Sequence, residues 1–464
     1  DPFLVGDWSI VNAPSGNEQP NPPGNLTAPH NFNVEVINDR SFRFIWTPPA
    51  SGTAISYTAE YSLDEGQSWV SQPFVTSPYV WNNLPHGGDE YLLRVAAVNA
   101  SGRVNTTAIR RRTHTRAYGI AADWNQTIAS ILSRGVHPTE TYLREVLWRG
   151  NNVEQNRPLG THFINIFSRD YTYAVYNSEA SGGNFATCAV AFGNWRTGRV
   201  PWNPSWVIPD GTDAQFVILN TETGEEWNAW QVAYDAGTNR IIPKFGTGGR
   251  VSRITAAEND SGVAGNFWTK TNGFRPSRGC GIQYLAMLVR PEEIAQGKIY
   301  HALSVVMRRS GYRFYVAPAT KGERYDGNQN DQGVPQGTRF YLDVTDAEIL
   351  AHVNSWPAGV PQSTRDTMRI VLKAMQEYGF IATDQGGDNH LQFQHTASAN
   401  WAPYGIDREY VAGGRSYPRD AIDGLISDPT KIKVLPPPDN TMYRYERGGD
   451  SALVGPVPCQ GIFS

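Results

Sequence analysis

Short stretches in which apolar and polar residues alternate dominate residues 26–115 of this chain. "FNVEVI", "SFRFIWTPP", "SYTAEYSLDEGQSW", "YVWNNL" and "EYLLRVAAVNASG" keep a period of two, and Gly, Pro, Asn or Asp punctuates them. A segment with that period buries one face only as a β-strand, because helical neighbours recur every three to four residues. The composition agrees: 464 residues with 14 Trp, 22 Tyr, 45 Gly and 31 Pro favour strands and tight turns over a helical bundle. A formal net charge of −4 leaves no electrostatic footprint for a nucleic-acid partner. No run of about 18 apolar residues occurs, so no transmembrane segment is expected.

The same stretch resembles fibronectin type III domains. "FRFIWTPP" is similar to the second strand of that family, with Trp46 as its core aromatic, and "YTAEYSLDEGQSW" to the third strand and its turn. "LPHGGDEYLLRVAAVNASG" is similar to the family's closing pattern and puts Tyr91 where those sandwiches place a tyrosine corner. The resemblance implies a spacer or adhesive module without catalysis. Residues 1–25 read as an extended segment and linker ahead of it. "RRRTHTR" (110–116) reads as a last strand with solvated charges, the alternative being a basic recognition patch.

Beyond 116 the pattern lengthens. "WNQTIASILSRG" and "HPTETYLREVLWRG" predict short helices closed by Gly135 and Gly150, which makes 116–150 a helical connector. From 151 to 410 strands return, among them "THFINIF", "YTYAVY", "AQFVILN", "EWNAWQVAYD", "YHALSVVM" and "RFYLDV". They predict a larger jelly-roll-like β-sandwich with a few helices. Thr345 and Glu348 form a capping box, and "STRDTMRIVLKAMQEYG" is a helix with Ser363 as its cap and a stripe of Met368, Val371, Leu372 and Met375. "FIATDQGGDNHLQF" reads as a hairpin turning at Gly386–Gly387. Residues 411–464 form a loop-rich tail. The 170–400 region resembles a group of secreted bacterial proteins of uncharacterised function, which supports export and brings no activity.

The start at Asp1 reads as a mature exported chain. Of the three cysteines, Cys188 and Cys280 are the preferred disulfide, with Cys459 left in the tail. Asn25, Asn99, Asn105, Asn125 and Asn259 lie in N-x-S/T sequons and are glycosylation candidates.

Candidate chemistry is sparse. His301 lies in an apolar strand and is either a buried structural histidine or a general base. Arg290 and Asp384 are expected to pair, holding a loop or clamping an anionic sugar. Asp213, Glu225, Glu226 and Asp235 crowd one stretch, and a glycosidase would need two of them facing each other. Trp202, Trp227 and Trp230 are candidates for stacking on sugar rings, with Trp227 and Trp230 on opposite faces of a strand. No metal site is expected, although "ENDSG" and "DGNQNDQG" offer oxygen ligands that Ca²⁺ accepts. "GTGGR" (246–250) lacks the Lys-Ser/Thr of a phosphate loop and reads as a turn.

These readings favour an extracellular structural or adhesive protein, a candidate repeating subunit of a surface filament or sheath. The alternatives are a secreted polysaccharide lyase or hydrolase and a non-catalytic sugar-binding protein. Phe3, Leu4, Val5, Trp8 and Ile10 form an apolar stub ahead of a Pro/Asn/Gly spacer. Water disfavours their exposure, so the stub is expected to dock, either on its own chain or on a neighbouring copy as an added strand. The second option makes a homopolymer, with polysaccharide as the other candidate partner.

Overall fold

The computed structural model describes residues 26–38, 40–85, 90–114, 122–154, 163–188, 199–220, 225–250, 278–322, 333–445 and 451–456. The chain divides into two compact units, the first ending at Arg116.

The first unit is built from β1 (His30–Asn38), β2 (Ser41–Thr47), β3 (Ser56–Ser62), β4 (Val70–Val75), β5 (Tyr79–Trp81), β6 (Glu90–Asn99), β7 (Gly102–Asn105) and β8 (Ile109–Arg112). One sheet runs β1-β2-β5 and the other β4-β3-β6-β7, with β8 also on β6. This is the sandwich that the alternating pattern predicts. Phe42, Phe44 and Trp46 point inward along β2 while Arg43 points outward. Tyr91 is fully buried and meets Phe42 and Tyr61 edge to face, with centroids 5.5 Å and 5.4 Å away. The basic run is used within the sandwich: Arg110 pairs with Glu65 and Glu90, and Arg111 donates to the Val34 carbonyl.

The second unit is also mainly β. Its strands are β9 (Asn165–Phe167), β10 (Tyr173–Asn177), β11 (Phe185–Cys188), β12 (Arg199–Pro201), β13 (Gln215–Leu219), β14 (Glu225–Asp235), β15 (Arg240–Arg250), β16 (Leu303–Met307), β17 (Ser310–Val316) and β18 (Val334–Gln336). They continue as β19 (Arg339–Leu342), β20 (Phe380–Gln385), β21 (His390–Gln392), β22 (Tyr410–Ala412), β23 (Arg415–Tyr417), β24 (Ile432–Leu435), β25 (Thr441–Tyr445) and β26 (Ser451–Pro456). Two six-stranded sheets, β10-β13-β14-β15-β11-β12 and β24-β19-β20-β16-β21-β9, carry the fold. Both are mixed, with β10 parallel to β13 and β16 parallel to β20. A four-stranded sheet, β18-β17-β25-β26, and the β22-β23 hairpin complete it.

Among the described residues the unit also has five α-helices: α1 (Ile128–Ile131), α2 (Glu140–Glu154), α3 (Pro291–Ala295), α4 (Asp346–Asn354) and α5 (Gln362–Glu377). Along α5 the stripe of Met368, Val371, Leu372 and Met375 is wholly buried. Its N-cap is Pro361 rather than Ser363. The α4 capping box between Thr345 and Glu348 forms as the spacing predicts.

Several local expectations change once distant segments meet. Described parts of the connector and of the segment after 411 enter the core of the second unit: Leu143, Leu147 and Trp148 of α2 share one apolar cluster with Tyr417, Ile422 and Ile432. Gly150 does not end α2 but lies within it, where a Cβ would sit 2.5 Å from the Asn389 amide nitrogen. That amide donates to the carbonyls of Leu147 and Phe163 at 2.9 Å and 3.0 Å, so the helix gives up a side chain to admit a cross-link. β20 and β21 flank the Gly386–Gly387 turn but do not form a hairpin, because β16 inserts between them. "GTGGR" is the end of β15, paired with β14, and not a turn.

Gly379 ends α5 at a φ of +75°, and a Cβ there would lie 2.2 Å from the Phe340 carbonyl oxygen. Gly379→Ala combines left-handed strain with backbone overlap and is expected to cost about 2–4 kcal/mol. Urea denaturation of the variant checks this; an unchanged midpoint would mean that the turn is not held as described.

Candidate functional site

The expected catalytic residues separate into two clusters. His301 is buried at the entry to β16, with Nε2 2.8 Å from Glu293 Oε1 and Nδ1 2.8 Å from the Ala302 carbonyl oxygen. Both partners offer oxygen acceptors to the ring. Arg290 completes the cluster. It pairs with Glu293 at 3.0 Å and with Glu292 at 2.7 Å, and not with Asp384. Burial alone would raise the Glu293 carboxyl, but Arg290 and His301 bring it down to about 2. With His301, Glu293 and Arg290 all buried, the arrangement ties the α3 turn to the entry of β16.

Asp384 lies elsewhere, at a bulge where β20 gains a residue against Val305 and Val306. Burial pushes its carboxyl up to about 6; nearby Asp213 adds to the rise, while the Gln385 N–H, Arg278 and Lys321 oppose it. Asp213 accepts a hydrogen bond from Trp230 Nε1 at 3.0 Å. Arg278 is fully buried, donates to the carbonyls of Ala286 and Tyr284, and faces the stacked rings of Tyr173 and Tyr284. A chain of hydrogen bonds from Thr383 through Ser304 and Gln392 to the Tyr173 hydroxyl links this seam to β10. The sequence showed no sign that Arg278 belongs here.

Other expected sites are corrected by burial or by existing partners. Trp202 is 1% exposed and packs on Trp206, Phe216 and Tyr234, so it is core and not a sugar platform. Trp227 packs on the same cluster. Trp230 is half-buried, held by Asp213 and covered by Lys244 at 5.0 Å. Glu226 is fully buried, Asp235 closes a turn on Thr238 and Asp213 is taken by Trp230, while the Glu225 side chain lies outside what the structure describes. Cys188 and Cys280 are free thiols, each pushed up to about 12 chiefly by burial. They belong to different apolar clusters, which removes the expected disulfide. Asn125 is 3% exposed, too buried to carry a glycan. Asn99 donates to the Thr53 carbonyl, and Asn105 accepts from Arg103. Asn25, Asn259, Phe3, Leu4, Val5, Trp8, Ile10, Cys459 and nearly all of the Ca²⁺ candidate loops lie outside the described residues.

One cleft among the described residues was missed by sequence reasoning. It encloses about 450 Å³ and is lined by Phe167, Arg169, Asp170, Arg408, Glu409 and Arg419 among others. The end of β9 supplies one wall, and the loops before β22 and after β23 supply the other. The walls are tied together: Ile166 N donates to the Arg419 carbonyl at 3.0 Å, Ser168 Oγ to the Ile406 carbonyl at 3.4 Å, and Arg169 Nη2 to the Asp407 carbonyl. Phe167 lies flat on the buried His390 ring, centroids 4.3 Å apart. No motif marks the site, because its residues come from segments some 240 positions apart.

No family model and no curated protein matches the sequence. Solved structures that share a likeness are fibronectin type III domains. The FN5 domain of Drosophila Lar matches at 21% identity and a TM-score of 0.18, over 20% of this chain and 99% of that one. FN3tt matches at 22% identity and a TM-score of 0.17, over 19% and 96%. The FN1–FN3 domains of chicken CNTN1 match at 18% identity and a TM-score of 0.18, over 20% and 33%.

The two acidic clusters give opposite pH dependences. Glu293, held at about 2 against an ordinary 4.5, stabilises the fold above pH 4.5, and that contribution is lost as pH falls toward 2. Asp384, raised from 3.8 to about 6, binds its proton more tightly when folded, so stability declines as pH rises from 3.8 to about 6. Denaturant midpoints across pH 2–7 are expected to lose the first slope in Glu293→Gln and the second in Asp384→Asn. Glu293→Gln also costs about 1.5–3 kcal/mol at neutral pH, since the buried Arg290 loses one of its two carboxylate partners.

Proposed function

We propose that this chain is an extracellular adhesive protein whose second unit binds carbohydrate at the cleft beside β9. The first unit serves as a spacer: its core is complete, and Glu60 is satisfied internally by Arg94, Arg103 and Ser71. Placement outside the cell rests on the sequence resemblances; among the described residues no helix is long and apolar enough to cross a membrane.

The single observation that carries the reading is the cleft lining. Phe167 offers an apolar face, and Arg169, Asp170, Arg408, Glu409 and Arg419 offer planar donors and acceptors around it. Saccharides present this combination in mirror form, with C–H faces on the ring and vicinal hydroxyls at its rim. A concave site with one apolar wall and a few oriented polar groups is the general form of a small-ligand site. The enzymatic alternative finds less support, since His301 and Asp384 do not meet and His301 is buried. Assembly into a filament rests on the apolar stub alone; deleting residues 1–12 should then leave folded, non-polymerising monomers.

A glycan panel probed with the intact chain is the direct test. At least one polysaccharide class should bind, and Phe167→Ala should weaken it by about tenfold while leaving the circular dichroism unchanged. Absence of binding across neutral and acidic glycans would overturn the reading.

A further inference from the structure

We infer that the saccharide held in this cleft is an acidic one, a uronic acid residue whose ring carboxylate is gripped by the guanidinium forks of Arg169, Arg408 and Arg419. The inference rests on the carbohydrate reading of the cleft and adds its ligand class.

Three guanidiniums line one cleft, and among the described residues only Arg419 pairs with a carboxylate, Asp420. Each is oriented from behind by a single side-on contact. Arg169 donates Nη2 to the Asp407 carbonyl. Arg408 donates Nε to the Tyr410 hydroxyl at 3.3 Å, with its Cζ 5.2 Å from that ring. Arg419 donates Nε to Asp420 Oδ1 at 3.3 Å, and Asp420 is buried and fixed by the Ser416 N–H at 2.8 Å. These contacts fix the planes and leave N–H groups that meet no protein acceptor among the described residues. A planar fork with two parallel donors matches a carboxylate better than a hydroxyl, and the match is lost in a lysine.

The charge balance narrows the anion. Three carboxylates already stand beside the three guanidiniums: Asp170 and Glu409 in the lining and Asp420 paired with Arg419. A site so supplied with carboxylates suits a ligand of low charge density, with one carboxylate per sugar. A densely sulfated chain would instead place several negative charges against Asp170 and Glu409. Those two carboxylates accept from hydroxyls, which a uronate retains on its other carbons. The aromatic wall stays apolar across the neutral range: burial holds His390, beneath Phe167, down to about 4, so no cation forms under the platform.

The test is calorimetric titration of the intact chain with oligomers of galacturonate, alginate and hyaluronan, each beside its carboxyl-reduced counterpart. Reduction changes only the carboxylate to an alcohol. At least one uronate oligomer is expected to bind at least about tenfold tighter than its reduced form, and to weaken as salt rises from about 0.05 to about 0.5 M. Arg169→Gln and Arg419→Gln should abolish that preference, and Arg169→Lys should restore only part of it. Thermal denaturation of each variant confirms that it folds. Equal affinity for acidic and reduced forms would overturn the acidic-sugar inference and leave the carbohydrate reading standing. Tighter binding of dextran sulfate than of any uronate would also overturn it, as a general polyanion surface. No binding to any glycan removes both.

Discussion

Leu303–Met307 has no exposed face, and the second unit is arranged around that fact. All five residues of β16 are buried, and its backbone is paired on one side with β20 and on the other with β21. A strand covered on both faces must be central, since an edge would leave backbone donors and acceptors without partners in an apolar setting. Its polar member, Ser304, is accommodated because its hydroxyl meets Thr383 on one neighbour and Gln392 on the other. Placing β16 there separates β20 from β21, carries β21 outward and makes β9 the sheet's last strand. Phe167, at the end of β9, therefore reaches the rim where the cleft opens.

Buried cations recur through the same unit, and each is handled by a different partner set. Arg339 donates to the carbonyls of Tyr378, Asp123 and Gln126, joining β19 to the segment before α1. Arg365 on α5 donates to the carbonyls of Trp356 and Pro357 after α4, at 2.9 Å and 2.7 Å. Arg290 takes carboxylates instead. Arginine suits these places because five donors in a plane can collect several carbonyls that no apolar side chain could satisfy. The gain is specificity of loop placement more than stability, since desolvating the charge offsets much of the attraction. In the cleft the guanidiniums make the same kind of contact to backbone or side-chain oxygens but face solvent.

How far the site was legible follows from where its residues come from. Trp46 and Tyr91 were readable as core because a period-two strand declares its buried face locally. The stripe of α5 and the Thr345–Glu348 cap were readable for the same reason. His301 and Asp384 were visible as unusual residues in apolar strands, but their partners were not. Glu293 reaches His301 across a turn, and Asp213 approaches Asp384 from another sheet. Trp202 and Trp230 looked available because sequence reports residue type and not what covers it. Arg169, Arg408 and Arg419 looked like ordinary loop charges.

By itself the sequence determined that the chain is mainly β, that its first unit is a two-sheet sandwich, and where its best helix lies. Those properties follow from periodicity and capping, which act over a few residues. Only the tertiary structure decided the strand order, the placement of β16 between two strands that are neighbours in sequence, and the freedom of the two thiols. It also decided that Gly150 stays inside a helix to admit Asn389, and that three arginines from distant loops share one cleft. Pairing between remote strands is set by which buried faces and backbone groups can be satisfied together, and no local pattern encodes that solution.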